Sequence, residues 1–152
     1  MRITIAAVGR RRKGPEQALF DHFARRISWP LEIREVEEKK KLPPDQLKRR
    51  EGELLAKACP VGATRVALDE TGRALTSSEF ATRMGAWRDQ AIGDVAFLIG
   101  GAAGLDRDLT ERAELVLSLG ALTWPHMLVR GMLAEQIYRA QQILAGHPYH
   151  RE

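Results

Sequence analysis

The chain alternates between two patterns of apolar residues. Short apolar runs rich in valine and isoleucine predict β-strands, and longer stretches with apolar residues three or four positions apart predict α-helices. The runs predict strands at residues 2–8, 31–36, 64–69, 95–99 and 116–119. The stretches predict helices at residues 15–28, 45–58, 77–91, 106–113 and 126–144.

Strands and helices follow one another throughout the chain. This order is typical of α/β proteins, in which helices cover both faces of a largely parallel sheet. Thr76 and Glu79 have the spacing of a capping box at the start of the third helix. Residues 70–72 predict a turn after the third strand. Because no repeat or linker interrupts the pattern, we predict one domain over residues 1–152.

Charge and cysteine content narrow the choice of function. The 152 residues carry 24 Lys and Arg against 20 Asp and Glu, a formal net charge of +4. Part of the excess lies in three basic blocks, Arg10–Lys13, Lys39–Lys41 and Lys48–Arg50, which either neutralise RNA phosphates or form an ordinary solvated surface. Cys59 is the only cysteine, and neither a membrane span nor a signal peptide is evident, so we expect a cytoplasmic protein.

Two glycine-containing turns follow the last two predicted strands. Gly100–Gly104 has neither the lysine of a P-loop nor the G-x-G-x-x-G spacing of a dinucleotide-binding fold, and Leu119–Trp124 is small and apolar. The carboxyl ends of parallel strands meet at one edge of a sheet. We therefore expect both turns, with the end of the third strand at Leu68–Asp69, to form a slot for a flat, uncharged adenosine.

The last third of the chain also carries a distinctive set of motifs. They are Ile99–Gly101, Gly104, Leu117–Leu119, Leu122–Thr123, Pro125–His126, Leu128–Arg130, Ala134–Gln136, Tyr138–Ala140 and His147–Glu152. Together they resemble the SPOUT-class methyltransferases that modify N3 of a pseudouridine in large-subunit (23S) ribosomal RNA. Ala7–Gly9 and Gly14–Pro15 fit as well, so the resemblance covers essentially the whole chain.

The resemblance implies an α/β trefoil knot, in which the C-terminal segment is threaded through a loop to form a site for S-adenosylmethionine. It also implies a homodimer in which each cofactor pocket is completed by the partner subunit. The cofactor-binding positions carried over are Leu68, Gly100, Leu119, Gly120, Ala121, Leu122, Thr123 and Trp124. Gly120 stands where the family often has serine, and Trp124 where a smaller apolar residue is usual.

The C-terminal hexapeptide His147–Glu152 combines acid–base and phosphate-binding groups. Methyl transfer to N3 requires the loss of a proton, so a base, or donors to the imide oxygens, would assist it. The predicted catalytic residues are His147, Tyr149, His150 and Arg151; His147, His150 and Glu152 are the alternative bases. The two histidines lack a third ligand nearby in sequence, so we expect no metal.

For the polar residues of the last helix we predict hydrogen bonds and ion pairs. Arg130, like Arg151, could bind a phosphate or face a carbonyl oxygen. His126 is expected to be a turn or helix-cap hydrogen bonder, and Glu135 and Arg139 an i,i+4 ion pair at a surface or interface.

Two other functions remain open. A non-catalytic RNA- or ribosome-binding module would need only the basic blocks, whereas the missing P-loop lysine disfavours a nucleotide-phosphate enzyme. A chain of 17.0 kDa has little surface outside its pocket for contacts with RNA. We therefore predict that the substrate is ribosomal RNA in the large subunit or the assembled ribosome.

Overall fold

The computed structural model describes residues 1–151, and Glu152 lies outside the described residues. Five strands alternate with five helices. The strands are β1 (Arg2–Val8), β2 (Leu31–Val36), β3 (Thr64–Arg73), β4 (Asp94–Ile99) and β5 (Leu115–Leu117). The helices are α1 (Pro15–Ala24), α2 (Pro44–Ala58), α3 (Ser77–Asp89), α4 (Arg107–Glu111) and α5 (His126–Leu144).

The strands form one sheet in the order β2-β1-β4-β3-β5, and each pairing among them is parallel. The carboxyl ends of all five strands therefore lie at the same edge. Ile5 pairs with Ile33 on one side and Phe97 on the other, so β1 and β4 are central. This arrangement confirms the predicted α/β class. The knot implied by the resemblance depends on how the chain is threaded and stays a prediction.

Helices cover both faces of the sheet, as predicted. Ile3, Ile5 and Ala7 of β1 face α1, α3 and α5, where they pack in one apolar cluster with side chains such as Phe80 and Leu133. The alternate residues of β1 belong to a second cluster under α2 and α4. Burying each large apolar side chain contributes about 1.5–3 kcal/mol, and both faces are needed because central parallel strands are apolar on both sides.

Several element boundaries match the predictions because strong local signals set them. β1, β2 and α5 span the predicted residues; Pro125 precedes α5, and Gly146 ends the turn after it with a φ of +69°. The capping box of α3 is present. The Thr76 hydroxyl accepts from the Glu79 N–H at 3.1 Å, and the Glu79 carboxylate accepts from the Thr76 N–H at 2.7 Å.

The predicted turn at residues 70–72 is wrong. β3 continues to Arg73, and both Leu68 and Arg73 pair with Leu117, so the intervening residues bulge out of the strand. Gly72 permits this path because a Cβ there would lie 2.6 Å from the Val116 carbonyl oxygen. The bulge projects at the carboxyl edge of the sheet.

Two elements differ from their predicted bounds: α1 is shorter than predicted, and β5 begins and ends earlier than predicted. α1 ends at Ala24 instead of residue 28, because the Arg26 and Ile27 N–H groups bond three residues back, to Phe23 and Ala24, and this tighter turn buries Ile27. β5 spans Leu115–Leu117 rather than residues 116–119, so the loop after it begins earlier than expected.

Candidate active site

A cleft opens where the strands end, and we call it the edge cleft. It has a volume of about 760 Å³ and is formed by the bulge of β3 and the loops after β4 and β5, with contributions from α2 and α5. Its lining residues are Lys48, Leu68–Thr71, Ile99–Leu105, Leu117, Leu119, Gly120, Leu122–His126 and Val129. The structure thus brings together the two glycine turns that the sequence placed in one slot.

The predicted cofactor-binding positions can be compared directly with this lining. Leu68, Gly100, Leu119, Gly120, Leu122, Thr123 and Trp124 are part of it. Ala121 is exposed and is not among the lining residues. The cofactor-binding role of the whole set stays a prediction.

The loop after β4 is a tight turn that requires glycine. A Cβ on Gly100 would lie 2.8 Å from the carbonyl carbon and oxygen of Gly104, and Gly104 itself has a φ of +80°. The Gly104 N–H donates to the Gly101 carbonyl at 3.0 Å, which closes the turn. Since side chains are absent at these positions, backbone groups form this wall of the edge cleft.

The loop after β5 forms the facing wall. The buried Ser118 hydroxyl accepts from the Gly120 N–H and donates to the Gly120 carbonyl, both at 3.1 Å, and Gly120 has a φ of +116°. The Trp124 indole N–H donates to the Leu119 carbonyl at 3.3 Å. Trp124 therefore folds back on its own loop, where 37% of its surface remains exposed.

Of the charged residues in the edge cleft, Asp69 was expected at the end of the third strand, whereas Glu70 and Lys48 were not predicted. The bulge of β3 places Asp69 and Glu70 in the lining, and α2 contributes Lys48. Asp69 accepts hydrogen bonds from the Thr71 N–H at 2.9 Å and the Thr71 hydroxyl at 2.5 Å. With two carboxylates and one ammonium, the cleft is better suited to a neutral or cationic ligand than to a polyphosphate.

Arg130 holds the start of α5 against the ends of β1 and β2. Its guanidinium, 3% exposed, pairs with Glu35 at 2.6 Å and donates to the carbonyl oxygens of Val8 and Gly9 at 3.2 and 3.0 Å. The predicted phosphate-binding role is wrong because these contacts bury the group. The carbonyl oxygens that Arg130 does contact belong to the protein backbone, so a contact with a carbonyl oxygen of the substrate stays a prediction.

His126 is the first residue of α5 and lines the edge cleft. Burial lowers the pKa of its imidazole, and the neighbouring Arg130 lowers that pKa further. The ring is therefore neutral at pH 7, with one nitrogen able to accept a hydrogen bond.

The C-terminal tail packs along its own α5. The Tyr149 hydroxyl donates to Glu135 at 3.1 Å, its ring meets the Tyr138 ring edge-on at 4.9 Å, and the Arg139 guanidinium lies 4.8 Å from its centroid. His150 Nδ1 is 3.3 Å from Arg139 Nη1. The expected Glu135–Arg139 ion pair is confirmed, with Nε at 2.9 Å from the carboxylate.

The tail does not reach the edge cleft of its own chain. None of residues 147–151 lines it, and the α5 residues that do are His126 and Val129. Glu135 lies nine residues after His126, which corresponds to roughly 13 Å along a helix. His147 and Arg151 are exposed. The four predicted catalytic residues are therefore grouped with one another, away from the predicted cofactor positions of the same chain.

Tyr149 is held as a neutral phenol. Burial is the main cause of its raised pKa, and the Glu135 carboxylate adds to it. The hydrogen bond that Arg139 donates to Glu135 raises the pKa of Arg139, so the guanidinium under the tail stays charged.

A second hollow adjoins the tail, and we call it the helix hollow. Its volume is about 520 Å³. It is lined by Leu19, Phe23, Ala74–Ser77, Phe80, Leu117–Gly120, Gly131, Met132, Glu135 and Gln136. Leu117, Leu119 and Gly120 line both hollows, so the loop after β5 separates the edge cleft from the helix hollow.

Comparison with known proteins places this geometry in a family. Residues 1–150 match the family described as "Predicted SPOUT methyltransferase". The chain belongs to the SPOUT methyltransferase family. It is 59% identical, over 99% of both chains, to a protein of Rhodospirillum centenum named "Ribosomal RNA large subunit methyltransferase H". A protein of Paramagnetospirillum magneticum with the same name is 58% identical over the same shares of both chains.

A solved structure agrees at the level of the fold. A probable methylase family protein from Haemophilus influenzae superimposes with a TM-score of 0.56, at 11% identity, over 99% of this chain and 70% of the other.

SPOUT methyltransferases take the methyl group from S-adenosylmethionine, and the edge cleft has features that fit it. The Gly100–Gly104 turn is closed so tightly on its own backbone that a Cβ at Gly100 would displace it, and backbone groups therefore face the cleft there. Leu68, Leu119 and Leu122 supply apolar walls, as an adenine ring requires. The carboxylates of the β3 bulge suit the ligand's ribose hydroxyls and its positive charges. The family's cofactor and the residues of this SPOUT chain are therefore compatible.

The three basic blocks converge at the carboxyl edge of this SPOUT domain, after β1, after β2 and on α2. Arg10 pairs with Glu37 at 2.7 Å, and Arg50 pairs with Glu38 at 2.8 Å. Several cations make no ion pair with any residue among 1–151; they are Arg12, Lys13, Lys39, Lys40, Lys41, Lys48 and Arg49. All but Lys48 are exposed, and Lys48 connects the group to the edge cleft.

Among residues 1–151, no helix has the length and apolar character needed to cross a membrane. Within the same residues, no group of three His, Cys, Asp or Glu side chains is arranged to hold a metal ion.

Proposed function

We propose that the protein is an S-adenosylmethionine-dependent methyltransferase that methylates N3 of a pseudouridine in large-subunit ribosomal RNA. The main support is that the two glycine turns, Gly100–Gly104 and Leu119–Trp124, line one cleft whose side chains are neutral or acidic apart from Lys48, in a chain of the SPOUT methyltransferase family. The names of relatives that are 58 and 59% identical over 99% of their length support the choice of ribosomal RNA. Residues 1–152 act as one domain, and the cytoplasmic location follows from that substrate.

The edge cleft holds the cofactor through its loops. When bound, S-adenosylmethionine supplies an electrophilic methyl group on a sulfonium. The Gly100–Gly104 backbone and the Leu119–Trp124 loop enclose the adenosine, with Leu68 as the third wall, and the neutral His126 imidazole lies at the same cleft. Alignment of the methyl group with the attacking nitrogen accounts for much of the acceleration.

The reaction also removes the N3 proton of the base. The tail provides the groups that can do so, among them His147 and His150, while Tyr149 and Arg151 can donate to the imide oxygens that gain charge as the proton leaves. Tyr149 stays a neutral phenol, and its single hydroxyl proton, which bonds to Glu135 in the free chain, would turn from Glu135 to an imide oxygen when the base is bound.

The distance between tail and cleft in one chain supports a homodimer with shared sites. The Tyr149 hydroxyl bonds to Glu135, roughly 13 Å along α5 from His126. A partner docked over the half-buried apolar side chains of the helix hollow, such as Phe23 and Met132, would bring its tail to this chain's edge cleft. Each active site then combines the cleft of one protomer with residues 147–152 of the other.

The seven unpaired cations at the carboxyl edge support an RNA substrate. They lie on the side of the molecule where the edge cleft opens, so phosphates bound there flank a base that enters the cleft. The small size of the domain favours the assembled ribosome or large subunit over naked RNA.

Transfer of tritiated methyl groups from S-adenosylmethionine to ribosomes, large subunits and protein-free ribosomal RNA tests the proposal. We expect incorporation into ribosomes or large subunits, mapped to N3 of one pseudouridine. Binding of the cofactor and of ribosomes without any transfer would favour the non-catalytic RNA-binding module. Equal transfer to protein-free RNA would refute the ribosomal substrate.

Complementation tests the shared site. A chain lacking residues 147–152 and a full-length chain with Gly100→Trp in its cleft should each be inactive, and their co-expressed heterodimer should recover transfer at one of its two sites. A tail that acts on its own cleft would leave the heterodimer inactive, and sedimentation of the full chain as a monomer would exclude the dimer.

A further inference from the structure

Glu51 is a buried carboxyl that the proposed reaction does not use. It lies in the middle of α2 and is 7% exposed. Among residues 1–151 its Oε1 atom, also shielded from solvent, has no hydrogen-bond partner, and no Lys, Arg or His pairs with the carboxylate. Burial raises its pKa above the ordinary 4.5.

An unpaired buried carboxyl lowers stability. Leaving a buried polar atom without a partner costs about 1–3 kcal/mol, and a methionine of similar length would avoid that cost. Val8, which lies with Glu51 Oε2 against Gly101, belongs to the apolar cluster under α2 and α4. Packing alone thus favours an apolar side chain at this position.

The surroundings of Glu51 connect it to the glycine turn. A Cβ on Gly101 would lie 3.2 Å from Glu51 Oε2 and 2.9 Å from a methyl carbon of Val8. The carboxyl therefore lies directly under the backbone of Gly101, which is a wall of the edge cleft. Lys48, one turn earlier on the same side of α2, lines the cleft itself.

We propose that Glu51 is a positioning residue of the edge cleft: its carboxyl supports the Gly100–Gly104 backbone in the conformation that binds the cofactor. The free Oε1 atom is available to the backbone N–H groups of this turn when the ligand closes the loop onto α2. Stability is reduced in the free protein, and the hydrogen bond formed in the complex improves affinity. The inference rests on the proposed cofactor site.

Two near-isosteric substitutions separate positioning from packing. Glu51→Gln keeps the hydrogen-bonding oxygen, so we expect its dissociation constant for S-adenosylmethionine to stay within about threefold of that of the unchanged protein. Glu51→Met removes the hydrogen bond, and we expect affinity to fall about tenfold, the worth of one such bond, while the melting temperature rises. Glu53→Gln is the control, since Glu53 is an exposed carboxylate on the same helix.

Each result decides the point. A lower affinity together with a higher melting temperature in Glu51→Met, and a dissociation constant of Glu51→Gln close to that of the unchanged protein, support a positioning role. Unchanged affinity in Glu51→Met overturns the proposal, and so does a joint fall of affinity and melting temperature, which marks a purely structural residue. If the unchanged protein itself fails to bind S-adenosylmethionine in calorimetry, the proposed function is what fails.

Discussion

Alanine at Gly100 is the sharpest test of the turn after β4. The added Cβ would lie 2.8 Å from the carbonyl carbon and oxygen of Gly104 and 3.1 Å from the Leu105 nitrogen. Carbon atoms in contact are ordinarily about 3.5–4.0 Å apart. The contacts are with backbone, so no side-chain rotation relieves them and the turn itself must move.

The size of the effect follows from that geometry. Inserting one methyl group into a tightly packed site costs about 1–3 kcal/mol. If the displaced turn must return to its original shape to bind the cofactor, the same energy weakens binding by about 5- to 150-fold. The backbone of Gly100 is outside the positive-φ region, so the substitution adds steric contact without backbone strain.

Gly93→Ala is the matched control. Gly93 also lies outside the positive-φ region, and nothing is within 4 Å of the position its Cβ would take. Both substitutions lower the conformational entropy of the unfolded chain, and each raises the free energy of unfolding by a similar amount, about 0.4–1 kcal/mol, through that effect. The difference between them therefore isolates the contact with Gly104.

Calorimetric titration with S-adenosylmethionine gives the dissociation constants, and urea denaturation gives the free energies of unfolding. We expect Gly100→Ala to bind at least fivefold more weakly than Gly93→Ala. Affinities of the two variants within twofold of each other would show that the backbone at Gly100 is not a wall of the cofactor site. That result would refute the proposal that the turn after β4 binds the adenosine.

Three further predictions concern stability and RNA binding. Arg130→Met leaves Glu35 without its buried partner, and we expect the free energy of unfolding in urea to fall by about 3 kcal/mol. Glu51→Gln removes a carboxyl whose protonated form stabilises the folded state. That stabilisation is fully present below the unfolded pKa and is lost as the pH rises through the raised folded pKa. Urea denaturation from about pH 4 to about pH 8 should therefore show stability falling with pH more steeply in the unchanged protein than in the variant. Replacing Arg12 and Lys13 by glutamine should reduce the slope of log affinity for ribosomes against log salt by about 1.4, measured by filter binding.

Controls for these predictions come from the same chain. Arg107 and Arg112 are exposed and pair with carboxylates on α4, so replacing both by glutamine should leave the salt slope unchanged. An equal reduction of the slope in that variant would mean that net charge, rather than the carboxyl-edge cations, determines binding. Stability of Arg130→Met within 1 kcal/mol of the unchanged protein would show that the Glu35 pair contributes little. Parallel pH dependence of Glu51→Gln and the unchanged protein would contradict the assignment of a raised pKa to Glu51.

The sequence predicted the fold well where local chemistry decides the structure. Prolines and glycines mark the ends of most elements, and the capping box at Thr76 sets the start of α3. Pro125 and Gly146 enclose α5, the boundaries of which were predicted without error. Apolar periodicity was sufficient to place helices on both faces of the sheet.

Features that depend on distant residues were not predictable in the same way. The sequence around Glu70 and Gly72 resembles a turn, but pairing with β5 extends the strand, and the resulting bulge brings Glu70 into the edge cleft beside the expected Asp69. Lys48 is one charge in a basic block until α2 packs beside the glycine turn. A signal was present for Glu51, a charged residue among apolar helical positions.

The predicted site separates into two parts for a similar reason. Local composition identified the C-terminal tail as unusual, and Tyr149 and His150 do occupy defined positions. Their partners, Glu135 and Arg139, lie 14 and 11 residues earlier in the chain, on α5, and no local pattern indicates which cleft the tail serves.

The loop that separates the two hollows has a thermodynamic consequence. Leu119 and Gly120 belong to the lining of both, so any displacement of this short segment changes the shape of each hollow at once. If a second protomer docks at the helix hollow as proposed, ligand binding in the edge cleft and this docking share a coupling free energy, and linkage requires its magnitude to be the same in either direction. A ligand that tightens protomer association must itself bind more tightly to the assembled pair, by an identical factor.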